Sequence, residues 1–209
     1  MDQYGKVRVY IGPMYAGKTD SLVRVARERV RARQFGRIIP FEFIKPSFDT
    51  RDDDPRRIIT HDEQGLQIEA LVIPHDNPMR ILEEPTVIAA QVVLIDEGQF
   101  FDAAIRRVVQ RLFMDRKEVY FAGLDTDHLG RPFPATDGVA MLPFAKVFKL
   151  KSTCAYCGGE ARFSIRLIDG RPAPVDSPQF MVQGKGAAYK PACPVCFMTE
   201  LGKVGINPF

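Results

Sequence analysis

Short apolar runs recur along the first three quarters of the chain, and each is bounded by polar, Gly or Pro residues. Their length and content of Val, Ile and Phe are typical of buried strands. The runs lie at residues 6–11, 37–44, 69–73, 92–96, 118–123 and 146–150. Strands of this kind, separated by helical segments, predict an α/β fold with a mostly parallel sheet covered on both faces.

Two intervening stretches have helical periodicity. From Asp20 onward, Leu22, Ala26 and Val30 recur every four residues, which places them on one side of a helix. Residues 102–115 form a second predicted helix, in which Asp102 is placed to cap the first turn and the apolar positions share one face. The segment 48–57 is charged and contains Pro55, so it predicts a surface loop.

The pattern changes after Lys151, where Gly, Pro and polar residues replace the regular apolar runs. We therefore predict two units, an α/β domain over residues 1–150 and a small domain over residues 151–209. We expect the second unit to lack a core of its own and to need a covalent or metal staple.

Composition narrows the class of protein. The chain has 209 residues, 45% of them hydrophobic, and a formal net charge of +3. No apolar run reaches the roughly 20 residues of a membrane span, and the N-terminus does not resemble a secretion signal. We expect a cytoplasmic protein with no membrane partner. Much of the positive charge comes from residues 24–37, which is typical of a solvated helix face, so no nucleic-acid partner is expected.

A phosphate-binding motif follows the first predicted strand. The motif Gly-x4-Gly-Lys-Thr spans Gly12, Pro13, Met14, Tyr15, Ala16, Gly17, Lys18 and Thr19. Its glycines let backbone N–H groups turn toward phosphates, and the following helix start adds partial positive charge. Lys18 would reach the outer phosphates of ATP, and the Thr19 hydroxyl would bind Mg²⁺.

A pair of acidic residues ends the predicted strand at 92–96. Asp96 is placed to hold the Mg²⁺ shell beside the phosphate loop. Glu97 follows directly and points elsewhere, where it could act as a general base toward an acceptor hydroxyl. Because ATPases carry the same Asp-Glu pair to activate water, these residues alone leave the acceptor open.

Four cysteines form two Cys-x2-Cys pairs near the C-terminus. They are Cys154, Cys157, Cys193 and Cys196. Four thiolates in two close pairs favour a closed tetrahedral zinc site with a structural role. Residues 158–192, which we call the lasso segment, would then form a loop pinned at its base.

Together these motifs resemble the type II thymidine kinases over nearly the whole chain. The matching pieces are "GPMYAGKT" (12–19), Asp49-Thr50-Arg51, His61-Asp62, "DEGQFF" (96–101), "GLDTDHLGRPF" (123–133), "FSIRL" (163–167) and Tyr189. The resemblance implies a RecA-like P-loop NTPase fold with a zinc-bound lasso, and transfer of the γ-phosphoryl group of ATP to the 5′-hydroxyl of thymidine, a step of pyrimidine salvage for DNA synthesis.

The resemblance also implies roles for individual residues. Glu97 would be the catalytic base, Thr19 and Asp96 would hold Mg²⁺, and Arg51 would lie near the transferred phosphate. The nucleoside would contact Met14, Phe100, Leu124, His128, Phe133, Ser164, Val182 and Tyr189. The family usually assembles as a homotetramer, so a homo-oligomer is expected.

Three features depart from the family pattern. His128 stands where the family usually has Phe, Gly98 stands in place of Ala, and the lasso segment is longer, with Lys185 at one of the expected glycines. These differences leave a kinase of another pyrimidine deoxynucleoside as an alternative. A zinc-ribbon ATPase stimulated by nucleic acid is a further alternative, which would need a basic or aromatic track along one face.

Overall fold

The structure is a computed structural model that describes residues 4–49, 57–59, 67–180 and 187–206. Among the described residues, eight strands precede residue 150. They are β1 (Lys6–Ile11), β2 (Phe41–Pro46), β3 (Arg57–Ile59), β4 (Gln67–Glu69), β5 (Leu71–Ile73), β6 (Val92–Ile95), β7 (Glu118–Gly123) and β8 (Ala145–Lys149). Six of them form one parallel sheet in the order β5-β2-β6-β7-β1-β8, while β3 and β4 pair as a separate antiparallel ribbon.

Helices cover both faces of this sheet. They are α1 (Lys18–Gln34), α2 (Pro85–Ala89), α3 (Ile105–Met114) and α4 (Pro134–Ala140), with 3₁₀ turns at Pro78–Glu83 and Gly98–Phe100. The predicted α/β fold, a parallel sheet flanked by helices, is confirmed. Among the described residues no helix has both the length and the apolar character needed to cross a bilayer.

The central strand β6 shows why the sheet is covered on both sides. All four of its residues are buried, and successive side chains point to opposite faces. Val93 and Ile95 join the cluster under α2, α3 and α4, whereas Val92 and Leu94 join the cluster under α1. A strand buried on both faces needs a continuous apolar run rather than an alternating pattern.

Several predicted boundaries shift. The second strand, predicted at 37–44, is observed at Phe41–Pro46, because Pro40 has no N–H for a ladder and its carbonyl instead accepts from Gln91 and Val92. The strand predicted at 69–73 is interrupted at Ala70, so that Glu69 ends β4 and Leu71–Ile73 form β5. Helix α1 begins at Lys18, not Asp20. Most of the predicted loop at 48–57 lies outside the described residues, and Arg57 belongs to β3.

The C-terminal part contains short strands and one helix, none of which the apolar pattern predicted. The strands are β9 (Ser152–Thr153), β10 (Glu160–Ala161), β11 (Phe163–Ile168), β12 (Arg171–Pro172) and β13 (Ala188–Ala192), and the helix is α5 (Pro194–Gly202). Strand β11 lies between β12 and β13 in a three-stranded antiparallel sheet.

A small hydrophobic cluster lies behind that sheet, contrary to the expectation that this part lacks a core. It comprises Leu129, Ile165, Leu167, Ala192, Phe197, Leu201 and Ile206. The sequence conceals this cluster because its members come from one loop, two strands, one helix and the segment that follows that helix. Leu129 comes from the α/β part of the chain, so the cluster also anchors the two parts to each other.

Candidate active site

The phosphate loop connects β1 to α1 in a conformation that its glycines permit. Gly12 has φ 147°, and a Cβ there would lie 2.4 Å from the carbonyl oxygen of Leu150. Gly17 has φ 74° at the N-terminus of α1. Both residues have a positive φ, which favours glycine. At Gly12 the close approach of the Leu150 backbone also leaves no room for a side chain.

Lys18 lies folded across this loop. Its Nζ donates to the carbonyl oxygens of Gly12 and Pro13, at 3.1 and 2.6 Å, and its side chain is buried. The ammonium group is therefore held among the backbone groups of the loop, at the place where a phosphate-binding motif needs positive charge.

Thr19 and Asp96 meet beside the loop, as the sequence predicts for a pair sharing a cation. Thr19 Oγ1 donates to Asp96 Oδ2 at 2.9 Å, while Asp96 Oδ1 accepts from the Glu97 amide, also at 2.9 Å. Strand β7 separates β6 from β1 in the sheet, so the two groups are brought together at the carboxyl ends of nearby parallel strands. A hydroxyl and a carboxylate oxygen are the hard ligands that Mg²⁺ prefers, so the pair fits this ion.

Glu97 has an unusual backbone and a fixed side chain. Its φ of 51° and ψ of 36° lie in the left-handed region, which few non-glycine residues occupy. Its carboxylate Oε2 accepts from Gln99 Nε2 at 2.6 Å, and Gln99 Oε1 accepts from the Leu124 amide at 2.9 Å. Gln99 thus links Glu97 to the end of β7 and sets its orientation.

Two neighbouring spaces meet at Glu97. The first, which we call the loop cleft, is lined by Glu97, Asp20 and the loop residues Met14 to Thr19. The second, which we call the inner pocket, has an empty volume of about 480 Å³. Glu97 and Met14 line both spaces. A group bound in one space and a group bound in the other would therefore face each other across this carboxylate.

Seven of the eight residues predicted to contact a nucleoside line the inner pocket. They are Met14, Phe100, Leu124, His128, Phe133, Ser164 and Tyr189. The eighth, Val182, lies outside the described residues, as does the predicted phosphate ligand Arg51. The pocket also includes residues that the sequence analysis missed, namely Gln99, Thr126, Asp127, Arg166 and Gln179.

The four cysteines converge where β9 and β13 end and α5 begins. Their four sulfur atoms lie within 4.8 Å of one another, and Cys157 Sγ is 3.7 Å from Cys193 Sγ. Four sulfurs bound tetrahedrally to zinc at about 2.3 Å would be about 3.8 Å apart, so this cluster could hold a zinc ion.

A comparison with protein families decides the identity of this arrangement. A family model described as thymidine kinase matches residues 5–197, a span that includes the phosphate loop, Glu97, the inner pocket and all four cysteines. The chain belongs to the thymidine kinase family. It is therefore a kinase, and the resemblance found from the sequence motifs is confirmed.

In this thymidine kinase family member, the lasso segment is tied to the α/β part by aromatic rings. Phe180 packs against Phe48, Phe100 and Phe133, with ring centroids 5.7–5.8 Å apart. Phe48 and Phe100 are themselves 5.0 Å apart. Sequence reasoning missed Phe180 because a single aromatic residue in a proline-rich loop has no periodicity to mark it.

The polar residues near the site that the sequence analysis did not identify are marked only weakly in the sequence of this kinase. Gln99 lies inside the "DEGQFF" motif, so its position next to Glu97 pointed to a supporting role. Asp127 is buried, and its Oδ2 accepts from Arg131 Nε at 2.8 Å. Asp49 of the Asp-Thr-Arg motif is also buried, paired with Lys45 at 2.8 Å. Because a sequence does not show which charged residues are buried, Arg166 was also not predicted to line the pocket.

Proposed function

We propose that this protein is a thymidine kinase, which transfers the γ-phosphoryl group of ATP to the 5′-hydroxyl of thymidine. One observation carries the proposal: Glu97 lines both the loop cleft and the inner pocket. A donor phosphate in the cleft and a nucleoside hydroxyl at the mouth of the pocket would meet beside this carboxylate. Membership of the thymidine kinase family supports the choice of nucleoside.

The loop cleft has the groups that a triphosphate requires. Lys18 and the backbone N–H groups from Tyr15 to Thr19 would hold the phosphates, with Arg51 as a further proposed ligand. Thr19 and Asp96 would hold Mg²⁺, and that ion, when bound, would offset charge on the phosphate oxygens. Phosphoryl transfer asks the protein mainly for position and charge, which this set supplies.

Glu97 is the proposed general base. The hydrogen bond from Gln99 fixes the position of one carboxylate oxygen, and the carboxylate borders both the loop cleft and the inner pocket, where an acceptor hydroxyl would lie. A carboxylate held in this way can accept the hydroxyl proton as the phosphoryl group transfers. The apolar residues Phe100, Leu124 and Phe133 wall the inner pocket and would keep water from competing for the phosphoryl group.

The C-terminal part completes the proposal. We assign residues 1–150 to an ATP-binding domain and residues 151–209 to a nucleoside-covering domain, stapled by a structural zinc ion on the four cysteines. A homotetrameric assembly and a cytoplasmic location are proposed from the family resemblance.

The first test is a nucleoside panel with purified protein and Mg·ATP. We expect thymidine to be phosphorylated with the highest kcat/KM, ahead of deoxyuridine and deoxycytidine. Faster phosphorylation of another pyrimidine deoxynucleoside would replace thymidine with that substrate. ATP hydrolysis stimulated by DNA, without nucleoside phosphorylation, would overturn the proposal.

The second test is the variant Glu97→Gln. We expect kcat for thymidine to fall at least about 100-fold, because the amide cannot accept the proton. ATP affinity, measured by calorimetry, should remain close to that of the wild type, because Lys18 and the loop amides are untouched. Glu160→Gln, at an exposed position, is the control. Unchanged turnover in Glu97→Gln would refute the assignment of the base.

A further inference from the structure

Arg166 projects from β11 toward the inner pocket. Ser164 and Arg166 lie on the same face of β11, and Tyr189 on β13 is the direct partner of Arg166 in the sheet. All three line the inner pocket, whereas Ile165 and Leu167 on the opposite face join the small C-terminal core. The strand therefore turns one apolar face to its core and one polar face to the pocket.

The guanidinium group of Arg166 is buried, and two of its three nitrogen atoms have no hydrogen-bond acceptor among the described residues. The residue is 1% exposed, and its Nη2 lies 3.0 Å from His128 Nε2. Within the described ranges its Nε and Nη1 have no hydrogen-bond partner. An arginine side chain always carries its charge and offers five N–H donors. Burying such a group with unpaired donors is costly, which points to an acceptor that arrives from outside the chain.

The buried carboxylate of Asp127, in the same pocket, does not accept a hydrogen bond from Arg166. Asp127 accepts from the amides of Leu129 and Arg131 through Oδ1, at 2.9 and 3.0 Å. Its Oδ2 accepts from Arg131 Nε at 2.8 Å and from Gln179 Nε2 at 3.4 Å. Asp127 is therefore engaged with other donors.

His128 orients Arg166 without adding charge. Since every N–H of arginine is a donor, His128 Nε2 must accept, which places the ring proton on Nδ1. Burial, reinforced by the adjacent Arg166 charge, lowers the pKa of His128 to about 4. The ring is therefore neutral near pH 7 and can hold one edge of the guanidinium in place.

We propose that Arg166, oriented by His128, donates hydrogen bonds to the carbonyl oxygen at position 4 of a pyrimidine base and so determines base specificity. The inference rests on the proposed function, in which the inner pocket holds the nucleoside. Glu97 borders the loop cleft and takes the sugar hydroxyl, whereas Arg166 lines only the inner pocket. The base edge farthest from the sugar, which carries the 4-substituent, then reaches Arg166.

This arrangement distinguishes 4-oxo from 4-amino pyrimidines. A carbonyl oxygen can accept from these donors, whereas the amino group of deoxycytidine would set donor against donor. Leaving buried polar groups unpaired is an effective way to reject an analogue. Thymidine and deoxyuridine both present the oxygen, so this residue would not separate those two.

The test compares Arg166→Met with the wild type, using thymidine and deoxycytidine as substrates and as competing ligands. We expect kcat/KM for thymidine to fall about 10- to 100-fold, mostly through KM. The preference for thymidine over deoxycytidine should fall by at least about 10-fold, and the KM for ATP should not change. Arg162→Met, at an exposed position in the same part of the chain, is the matched control.

Thermal unfolding without ligand separates recognition from a structural role. Because Arg166→Met removes a buried cation with unpaired donors, its midpoint should equal or exceed that of the wild type. If Arg166→Met does not fold, Arg166→Lys keeps the charge and should show the same loss of preference for thymidine. His128→Phe should raise the thymidine KM with little change in kcat, and His128→Gln, which keeps an acceptor, should restore it.

Two results would overturn the inference while the proposed function stands. One is an unchanged kcat/KM for thymidine in Arg166→Met. The other is an equal loss for thymidine and deoxycytidine together with a lowered unfolding midpoint. Wild-type protein that phosphorylates no nucleoside would overturn the proposed function, and this inference with it.

Discussion

Glu97 and Gly98 form a tight turn in which each residue has a distinct physical constraint. The left-handed backbone at Glu97 costs on the order of 1 kcal/mol or more for a non-glycine residue, and such strain is typical of functional sites. Gly98 is constrained by packing, because a Cβ at this position would lie 2.1 Å from the Phe121 ring. The side chain of Phe121, rather than the backbone, therefore requires glycine at residue 98.

This packing predicts that Gly98→Ala destabilises the protein by about 1–3 kcal/mol, the usual cost of overpacking a core. The free energy of unfolding, measured in urea, checks the prediction. Phe121→Leu in the Gly98→Ala background should recover part of the loss, because it removes the ring that the new methyl group meets. Equal losses with and without Phe121→Leu would contradict this account.

His128 predicts a dependence of stability on pH. Its pKa is 6.5 when unfolded and about 4 when folded, so between these values the unfolded chain binds more protons. The full contribution of His128 to the free energy of unfolding is present above pH 6.5 and is lost as the pH falls toward 4. The charged groups around the ring are Arg166, Asp127 and Arg131, of which the two arginines oppose its protonation.

The measurement is the free energy of unfolding of the wild type and of His128→Gln at pH 7 and pH 4.5. The wild type should lose roughly 1–2 kcal/mol more than the variant over this range. Equal losses in the two proteins would show that His128 does not titrate in this way.

At the scale of elements, the aromatic contacts of Phe180 hold the lasso segment against the α/β part. Its three ring partners come from the loop after β2, the 3₁₀ turn after β6 and the segment before α4. Because two of these partners, Phe100 and Phe133, line the inner pocket, the contact that holds the lasso segment also shapes the pocket wall.

We therefore expect Phe180→Ala to raise the KM for thymidine about 10-fold and to increase ATP hydrolysis in the absence of nucleoside, since a looser cover admits water. Global stability should change little, because the ring is only half-buried and lies in a loop. Val175→Ala, an exposed apolar residue of the same loop, is the control. A lowered unfolding midpoint with unchanged KM would instead indicate a purely structural role.

Comparison of the observed with the predicted elements shows which parts of the fold can be predicted from the sequence. Strands β1, β6 and β7 are predicted to within one residue, because each is rich in Val, Ile or aromatic residues and lies between clear stops. The C-terminal strands and α5 are not predicted, because β9, β10 and β12 have only two residues each and the others lie in a stretch rich in Gly, Pro and polar residues. In the site, motif residues such as Lys18 and Asp96 were predicted from local spacing. Arg166 and Gln179 were not, because only the tertiary structure places them at the pocket.

At the scale of the whole molecule, the four cysteines close the lasso segment at its base. Cys154 and Cys157 follow β9, while Cys193 and Cys196 begin α5. A metal that joins the two pairs would remove much of the chain entropy of residues 158–192 in the unfolded state. Such a metal would help to hold the sheet that carries Ser164, Arg166 and Tyr189 near the phosphate loop.

We expect about one zinc ion per chain in protein purified without added metal, measured by atomic emission. Cys157→Ser should lower zinc content, the unfolding midpoint and thymidine turnover together. ATP binding should persist, because the phosphate loop lies in the other part of the chain. Thr199→Ala in α5 is the control. Zinc-free protein with full activity would contradict the proposed staple.

One of the hydrogen bonds between the two parts of the chain links the phosphate loop directly to β11. The backbone amide of Met14, in the middle of the phosphate loop, donates to Ser164 Oγ at 2.8 Å. A triphosphate that shifted this amide would also act on the strand that carries Ser164 and Arg166. The two substrates are then thermodynamically linked: the factor by which ATP changes the affinity for nucleoside equals the factor by which nucleoside changes the affinity for ATP.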